Sequence, residues 1–302
     1  MTRSLVSVGW VAMLAFATPA LALGIPSFQR ELGEAPRTLL GSRATAPDSA
    51  RTDIHEAWLD VGGSSIRALC TEGRRQVVLL HDEDSSADAW LPVLRRLDGR
   101  VGACAYDRRG SGRSAAAPRE RGWYELLDEL RLVHVSLGID DGYVLVGHGL
   151  AGLYARVFAM DRPRDASGLI LVDPSHEDTP RRVRAGMPRA EWAAWMETRT
   201  RPNADGVMEV RIADRARASR LAGVRVTVIT AAIRPEGEGW DPRFVNEAAR
   251  RVHADIARGV EMGRHVPASR STHDVPGEEP QLVADEILRM VRALDEERSR
   301  AP

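Results

Sequence analysis

The chain has 302 residues, of which 43% are apolar and 28% charged, and its formal net charge is −1. This length and apolar content suit one α/β domain with an insertion. All 42 basic residues are arginine and they are mixed with 43 acidic residues, which predicts a solvated surface and not a basic stripe for nucleic acid.

The N-terminus has the pattern of a secretory signal peptide. Arg3 supplies a positive charge, Leu5–Ala17 is mostly apolar, and Ala20–Ala22 is a small-x-small cleavage site. The apolar run is too short for a spanning helix, although an uncleaved anchor is an alternative. We therefore predict a signal peptide over residues 1–22, an extended lead-in over residues 23–52, and a secreted or periplasmic protein that leaves the membrane after cleavage.

The first predicted elements form a hairpin that is followed by alternating strands and helices. A Gly-Gly turn joins the first two strands, and later strands are buried apolar runs of the parallel type. In chain order, the patterns predict strands over 55–61, 65–70 and 76–80, a helix over 85–97 with Ser85 or Ser86 as N-cap, a strand over 101–106, a helix over 123–137, a strand over 143–146 and a helix from 150.

The second half continues this alternation after one interruption. The patterns predict a strand over 168–172, an arginine-rich helical insertion over about 176–222, a strand over 224–230, a helix over 241–260, a strand over 264–269 and a helix over 279–298. Residues 53–302 are therefore predicted to form a doubly wound, mostly parallel eight-stranded sheet flanked by helices. The insertion is expected to be a cap over the carboxyl ends of the strands.

One turn has the spacing of a nucleophile elbow. Residues 147–151 read Gly-His-Gly-Leu-Ala between a predicted strand and a predicted helix, where a serine hydrolase has G-x-S-x-G. The nucleophile position is occupied by Gly149, which has no oxygen to attack with. The sequence thus contains the local structure of a serine hydrolase without its nucleophile.

Five segments in the same order carry a wider resemblance. The chain resembles the α/β-hydrolase superfamily, and within it a secreted bacterial branch similar to serine esterases. The matching segments are 77–90, 104–112, 147–152, 171–178 and 272–280. The resemblance implies the α/β-hydrolase fold with a helical cap.

The resemblance also implies the positions of the functional residues. A triad in the order nucleophile, acid and histidine falls on Gly149, Asp173 and His273. The oxyanion region falls on Asp82, Glu83 and Leu150. The alternatives are an Asp-Pro turn at Asp173 and a surface histidine at position 273.

Two cysteines complete the implied arrangement. The resembling fold places the second and fourth strands side by side, so a disulfide between Cys70 and Cys104 is expected in an oxidising compartment. Two buried free thiols are the alternative.

The loop after the third strand departs from the resembling family. It reads His81-Asp-Glu-Asp84, where the family has glycines whose backbone N–H groups converge on an oxyanion. A carboxylate about 5 Å from the oxyanion would repel it by about 3 kcal/mol at an effective dielectric constant near 20. Alternatively, Asp82 and Asp84 point into water and cap the following helix.

These observations leave open whether the chain is an enzyme. The leading hypothesis is a secreted hydrolase-fold protein whose serine-esterase chemistry is lost or impaired, with a pocket for a small apolar, ester-like or acyl ligand. One alternative is an engineered Ser→Gly form of an active carboxylic-ester hydrolase, which would explain Gly149 but not the altered loop. No cofactor, metal or nucleic acid partner is expected, and the oligomeric state stays open.

Two further hypotheses involve other side chains. An active hydrolase with a non-standard nucleophile or a metal-activated water would use groups at the strand ends, namely His81, His148, His176, His273, Asp82, Asp84 and Asp173. A partner-binding module would present Trp192 and Trp195 as an apolar surface, although lining a pocket is the preferred role for these rings.

Overall fold

The computed structural model describes residues 53–139, 142–218, 220–233 and 242–300. The predicted signal peptide and lead-in therefore lie outside the described residues. Within the described part, no helix has both the length and the apolar content that crossing a bilayer requires.

The described residues form the predicted eight-stranded sheet. Its order is β1-β2-β4-β3-β5-β6-β7-β8, with antiparallel pairing of β1 with β2 and of β2 with β4 and parallel pairing elsewhere. This confirms the predicted doubly wound, mostly parallel arrangement. The strands are β1 His55–Val61, β2 Ser64–Cys70, β3 Arg75–Leu80, β4 Gly102–Tyr106, β5 Tyr143–His148, β6 Ala166–Val172, β7 Arg225–Ala231 and β8 Gly263–Ala268.

Helices cover both faces of the sheet. They are α1 Leu91–Leu97, α2 Trp123–Ser136, α3 Leu150–Asp161, α4 Thr179–Val183, α5 Arg189–Arg199, α6 Glu209–Arg217, α7 Pro242–Arg258, α8 Val275–Glu278 and α9 Pro280–Arg300. The predicted helix over 85–97 differs, because a short 3₁₀ helix, Ala87–Trp90, precedes α1 and is capped by Ser86. Pro92 sits in the first turn of α1, where its missing N–H costs no hydrogen bond.

Two apolar cores lie against the sheet. The larger includes buried side chains of α2, α3 and α6, and the other includes buried side chains of α1 and α9. The neighbouring strands β2 and β4 are joined by a disulfide between Cys70 and Cys104, which are directly opposite each other with their Cα atoms 4.2 Å apart. The structure therefore contains the predicted bridge.

The predicted insertion lies between β6 and β7 and contains α4, α5 and α6. Val183 and Met187 of this insertion pack with Ala248 of α7, and Trp192 and Trp195 pack against this small cluster while partly buried. The two tryptophans are thus in contact with other apolar side chains and do not form a separate exposed face.

Candidate functional site

The elbow turn holds Gly149 in a conformation that favours glycine. Its φ is +54° and its ψ is −122°, between the end of β5 and the start of α3. The turn is fixed by its backbone, because the Gly149 N–H donates to the Val172 carbonyl at 3.0 Å and the Gly149 carbonyl accepts from the Ser175 N–H at 2.8 Å. The turn therefore has the backbone form of a nucleophile elbow, with glycine at the position of the nucleophile.

The side chain of Asp82 fills the space that a serine at position 149 would need. A Cβ built on Gly149 would overlap the carboxylate of Asp82. One carboxylate oxygen, Oδ1, accepts hydrogen bonds from the backbone N–H groups of Leu150 and Glu83, each at 2.7 Å. Two N–H groups converging on one oxygen are what an oxyanion hole provides. The oxyanion region predicted from the sequence is therefore brought together, with Asp82 as its occupant.

This placement corrects both interpretations of the loop after β3. Asp82 neither repels an oxyanion from about 5 Å nor points into water, because its carboxylate takes the position of the oxyanion itself. The negative charge is stabilised there by the same donors that would stabilise a reacting carbonyl. Asp84 does lie at the surface, with φ of +52°.

His273 lies between two carboxylates. Its Nδ1 is 2.5 Å from Asp173 Oδ2, and its Nε2 is 2.7 Å from Asp82 Oδ2. Asp173 follows β6 with φ of +42°, is buried, and accepts a hydrogen bond from the Ala231 N–H at 3.2 Å through Oδ1. The structure thus brings Gly149, Asp173 and His273 together, and adds Asp82 to them.

The charges of Asp173 and Asp82 favour the protonated form of His273. Burial opposes protonation of His273, but the hydrogen bonds and charges of Asp173 and Asp82 outweigh it and raise the pKa of His273 to about 9. Burial would raise the pKa of Asp82, yet the hydrogen bond from His273 and neighbouring charges lower it to about 2. At neutral pH His273 is therefore an imidazolium that donates to both carboxylates, and it has no free lone pair with which to act as a base.

A buried ion pair holds the loop that carries Asp82. Arg108 donates from its guanidinium to the carbonyls of His81 at 2.6 Å and of Asp82 at 3.2 Å. The same guanidinium pairs with Asp205 at 2.9 Å, and both side chains are buried. The pairing was not predicted, because Arg108 and Asp205 lie 97 residues apart and only their packing brings them together. These two residues position Asp82.

A second set of hydrogen bonds holds the loop that carries His273. His148, whose pKa is lowered mainly by burial, donates from Nε2 to the His273 carbonyl at 2.7 Å. On the other side of His273, the Thr272 N–H donates to Glu278 at 2.5 Å, and the Ser271 hydroxyl donates to Glu279 at 2.6 Å. The imidazole is therefore presented to Asp82 by a fixed backbone.

A cavity of about 190 Å³ adjoins His273 and Asp173. This volume is below the ~300–1,000 Å³ of pockets for drug-sized ligands, so it suits a small molecule. Part of its wall is apolar, and Arg199 adds a buried guanidinium whose Cζ lies 4.5 Å from the centroid of the Trp195 ring. The wall includes Val183, Trp195 and Ala249 on the apolar side and His176, Arg199 and His253 on the polar side.

Three of the side chains that were considered as metal ligands lie together. In the part of the chain that the structure describes, Asp82, His148 and His273 each offer a ligand atom, and these atoms lie within 4.8 Å of one another. Ring nitrogens of both histidines also face oxygens, as is common for metal-bound histidine. A metal ion would have to displace the proton that His273 shares with Asp82. His81 instead donates to the Asp82 carbonyl, within its own loop.

Comparisons with known proteins give a family match that covers the site. The model of the family described as "Alpha/beta hydrolase family" matches residues 77–286, a range that contains Asp82, Gly149, Asp173 and His273. The chain is 22% identical over 131 residues to Uncharacterized protein YqjL of Bacillus subtilis, a match covering 41% of this chain and 52% of that protein. The chain spans about half, or less, of the length of the curated relatives it matches.

Solved structures of similar fold extend over most of the chain. A thermophilic esterase from Thermogutta terrifontis has a TM-score of 0.59 at 17% identity, covering 80% of this chain and 99% of the esterase. The epoxide hydrolase CorEH has a TM-score of 0.58 at 18% identity, covering 80% of this chain and 100% of CorEH. These likenesses concern the fold, and together with the family match they confirm the expected α/β-hydrolase fold.

Proposed function

The chain belongs to the alpha/beta hydrolase family. We propose that it is a member in which serine-dependent ester hydrolysis has been lost and in which the Asp82 carboxylate occupies the position of the serine side chain. The observation that carries this proposal is the position of the Asp82 carboxylate. It lies where a serine side chain would be, accepts both oxyanion-hole hydrogen bonds, and binds the imidazole of His273.

Three requirements of acyl-serine chemistry are missing at this site. Position 149 has no hydroxyl group, the oxyanion hole is occupied, and His273 carries its proton at neutral pH. Removing the nucleophile from a serine protease costs about 10⁶-fold in turnover and leaves roughly 10³- to 10⁴-fold over water, mainly from the oxyanion hole and binding. With the hole occupied, even that residual esterase activity is not expected here.

The test compares the protein with G149S, D82G and the double variant G149S/D82G, using short p-nitrophenyl esters and a fluorophosphonate probe. We expect background hydrolysis from the unaltered protein and from both single variants. D82G still lacks a hydroxyl group at position 149, and in G149S the new side chain would collide with the Asp82 carboxylate. The double variant should react with the probe and gain esterase activity. Thermal unfolding of each variant confirms that it is folded.

Ester turnover by the unaltered protein at the level of ordinary esterases, abolished by H273Q and accompanied by a probe adduct on a serine, would overturn the proposal. Restoration of full activity by G149S alone would also contradict it, because it would mean that Asp82 leaves the site freely.

We further propose that the site binds a small apolar or ester-like molecule. The cavity beside His273 and its apolar wall support this. Binding of ethyl butyrate can be followed by tryptophan fluorescence, with W195F as the control that should lose most of the signal. A cavity-filling A249W variant should abolish binding, and unchanged binding in A249W would exclude this cavity.

A metal-activated water is a second candidate, favoured by the grouping of Asp82, His148 and His273. Calorimetry with zinc should then show one ion per chain, and H148A should remove it while a variant of the distant His55 should not. Absence of binding in the unaltered protein would exclude this candidate.

A secreted or periplasmic location remains part of the proposal. The N-terminal pattern and the disulfide between Cys70 and Cys104 support an oxidising compartment. N-terminal sequencing of protein exported from a bacterial host should begin after Ala22, and an A22R variant should remain uncleaved. Retention of the full-length chain with reduced cysteines would contradict export.

A further inference from the structure

We propose that the cleft between the N-terminal ends of α2 and α6 binds a neutral sugar of one or two rings. The site is separate from the one around Asp82, and it goes beyond the loss of serine chemistry proposed above. The cleft has a volume of about 500 Å³ and is lined by residues 120–125 together with Met208 and Arg211 from the start of α6. Among the described residues, it shares no lining side chain with the cavity beside His273.

Two aromatic rings form a corner in the wall of the cleft. The rings of Trp123 and Tyr124 are nearly perpendicular, at 85°, and their centroids lie 6.0 Å apart. Arg215 of α6 lies over the Trp123 ring, with its Cζ 5.5 Å from the centroid, whereas Tyr124 is 58% exposed. The negative face of an aromatic ring attracts polarised C–H groups, such as those on one face of a pyranose ring. Tyr124 therefore offers the more open surface on which a sugar can pack.

Glycine at position 122 allows the Tyr124 ring to lie against the backbone. Gly122 has φ of −72° and ψ of 155°, which any residue can adopt, so the conformation of the chain does not require glycine here. A Cβ at this position would instead overlap the Tyr124 ring. The ring thus packs on Gly122 before any ligand arrives, which reduces the entropy lost on binding.

Arg121 fixes the buried side of the cleft. Its guanidinium donates to the Glu129 carboxylate and to the Asp205 carbonyl, each at 2.5 Å. Its backbone N–H donates to the Gly206 carbonyl at 2.7 Å. Because Glu129 belongs to α2 and the two carbonyls belong to the segment before α6, these bonds hold the two helix ends together. The cleft is therefore a preformed part of the fold, as most ligand sites are.

The charged side chains of the wall offer donors and acceptors without a net charge. Glu120 and Arg211 are exposed, and Glu125 accepts a hydrogen bond from the Gly122 N–H at 2.6 Å while keeping further acceptor capacity. The two glutamates balance the charges of Arg121 and Arg211. The wall therefore favours neither an anion nor a cation.

A neutral sugar matches both the polar and the aromatic parts of this wall. Each hydroxyl group both donates and accepts hydrogen bonds, so it can pair with a carboxylate and with a guanidinium. An aromatic anion would contact Arg211 but would be repelled by Glu120 and Glu125. A wholly apolar molecule would displace water from the charged groups and leave them unpaired. The volume of the cleft lies within the ~300–1,000 Å³ of ligand pockets and suits one or two pyranose rings.

The experiment titrates the whole chain with cellobiose, maltose, lactose and N,N′-diacetylchitobiose and follows ¹H–¹⁵N NMR signals. At least one of these disaccharides should shift the backbone signals of Gly122 and Tyr124 and the indole signal of Trp123. The signals around His273 should move little, because that site lies outside the cleft. Benzoate and benzylamine are the charged comparators, and both should shift the cleft signals less than the disaccharide does.

Variants of the wall test which contacts bind the sugar. Y124A and R211A should each weaken binding by about 10-fold, through loss of the aromatic face and of a charged donor respectively. G122A should also weaken binding, because its Cβ displaces the Tyr124 ring while every charge of the wall stays in place. W58A is the matched control, since Trp58 is an aromatic residue of β1 with a similar exposure of 51%, and it should leave the affinity unchanged. Thermal unfolding confirms that each variant is folded.

No shift at residues 120–125 with any of the four disaccharides, equal affinity in Y124A and the unaltered protein, or larger shifts with benzoate would each overturn the proposal. H273Q should bind the disaccharide as tightly as the unaltered protein does. Esterase activity of the unaltered protein would contradict the loss of serine chemistry without affecting the cleft, so the two failures are distinguishable.

Discussion

Replacing Asp82 with asparagine should lower the pKa of His273 towards that of a free histidine. Asparagine keeps the shape of the side chain and an acceptor for the Leu150 N–H, but it removes the charge that lies 2.7 Å from the His273 Nε2. The variant therefore isolates the electrostatic contribution of Asp82 to the protonation of the imidazole.

The magnitude follows from the geometry. Unit charges centred about 4 Å apart attract by about 4 kcal/mol at an effective dielectric constant of 20. This corresponds to about 3 pKa units at 1.36 kcal/mol per unit. Since the His273 side chain is 45% exposed, solvent screening reduces this effect. We expect a decrease of about 1 to 2 units, from a pKa of about 9 in the unaltered protein.

The assay is a pH titration of the His273 imidazole by ¹H–¹⁵N NMR, with the assignment checked in H273Q. D84N is the control, because Asp84 carries the same charge on the same loop without a hydrogen bond to His273, and it should leave the pKa nearly unchanged. A decrease of less than about half a unit in the pKa of His273 in D82N would refute the contact between the Asp82 carboxylate and the imidazole.

Three further predictions concern stability. Because the folded-state pKa of His273 is raised to about 9, protonation of His273 should stabilise the fold fully below the unfolded pKa of about 6.5, and this stabilisation should be lost as pH rises through 9. Urea unfolding should then show a decrease of about 1–2 kcal/mol in the free energy of unfolding after allowance for exposure. A free energy that does not change with pH over this range would contradict the raised pKa. Replacing Cys70 and Cys104 with alanine should lower the free energy of unfolding by about 4 kcal/mol, since the disulfide joins residues 34 positions apart. Equal urea midpoints with and without the disulfide would contradict this prediction. R108M should lower the free energy of unfolding by about 3–5 kcal/mol in the same measurement, because Asp205 would stay buried without its cation. A similar loss on replacing an exposed arginine such as Arg95 would remove this explanation.

The fold followed closely from local patterns in the sequence. Buried apolar runs such as 76–80 and 168–172 predicted strands because a strand buried on both faces has no polar alternation. The Gly-Gly turn of the hairpin at 55–70 was an equally local signal. The 3₁₀ helix before α1 was not predicted, because it depends on Ser86 as its N-cap and on Pro92 in the first turn of α1.

The site was predicted only in part. The resemblance assigned Gly149, Asp173 and His273 to the three positions of a triad, and the structure brings these residues together. The role of Asp82 could not be found from the sequence, because positions 82 and 149 lie far apart along the chain and the Asp82 carboxylate reaches the space beside Gly149 only after folding. Arg108 and Asp205 were missed for the same reason.

The shared space also constrains how this sequence can change over generations. A serine introduced at position 149 while Asp82 is present would meet a steric collision, so serine chemistry cannot arise through that substitution alone. A smaller residue at position 82 would have to come first. The chain would then have neither the Asp82 carboxylate nor a serine in this space until a serine replaced Gly149. The order in which the two substitutions can occur therefore limits how a serine can enter the elbow of this chain.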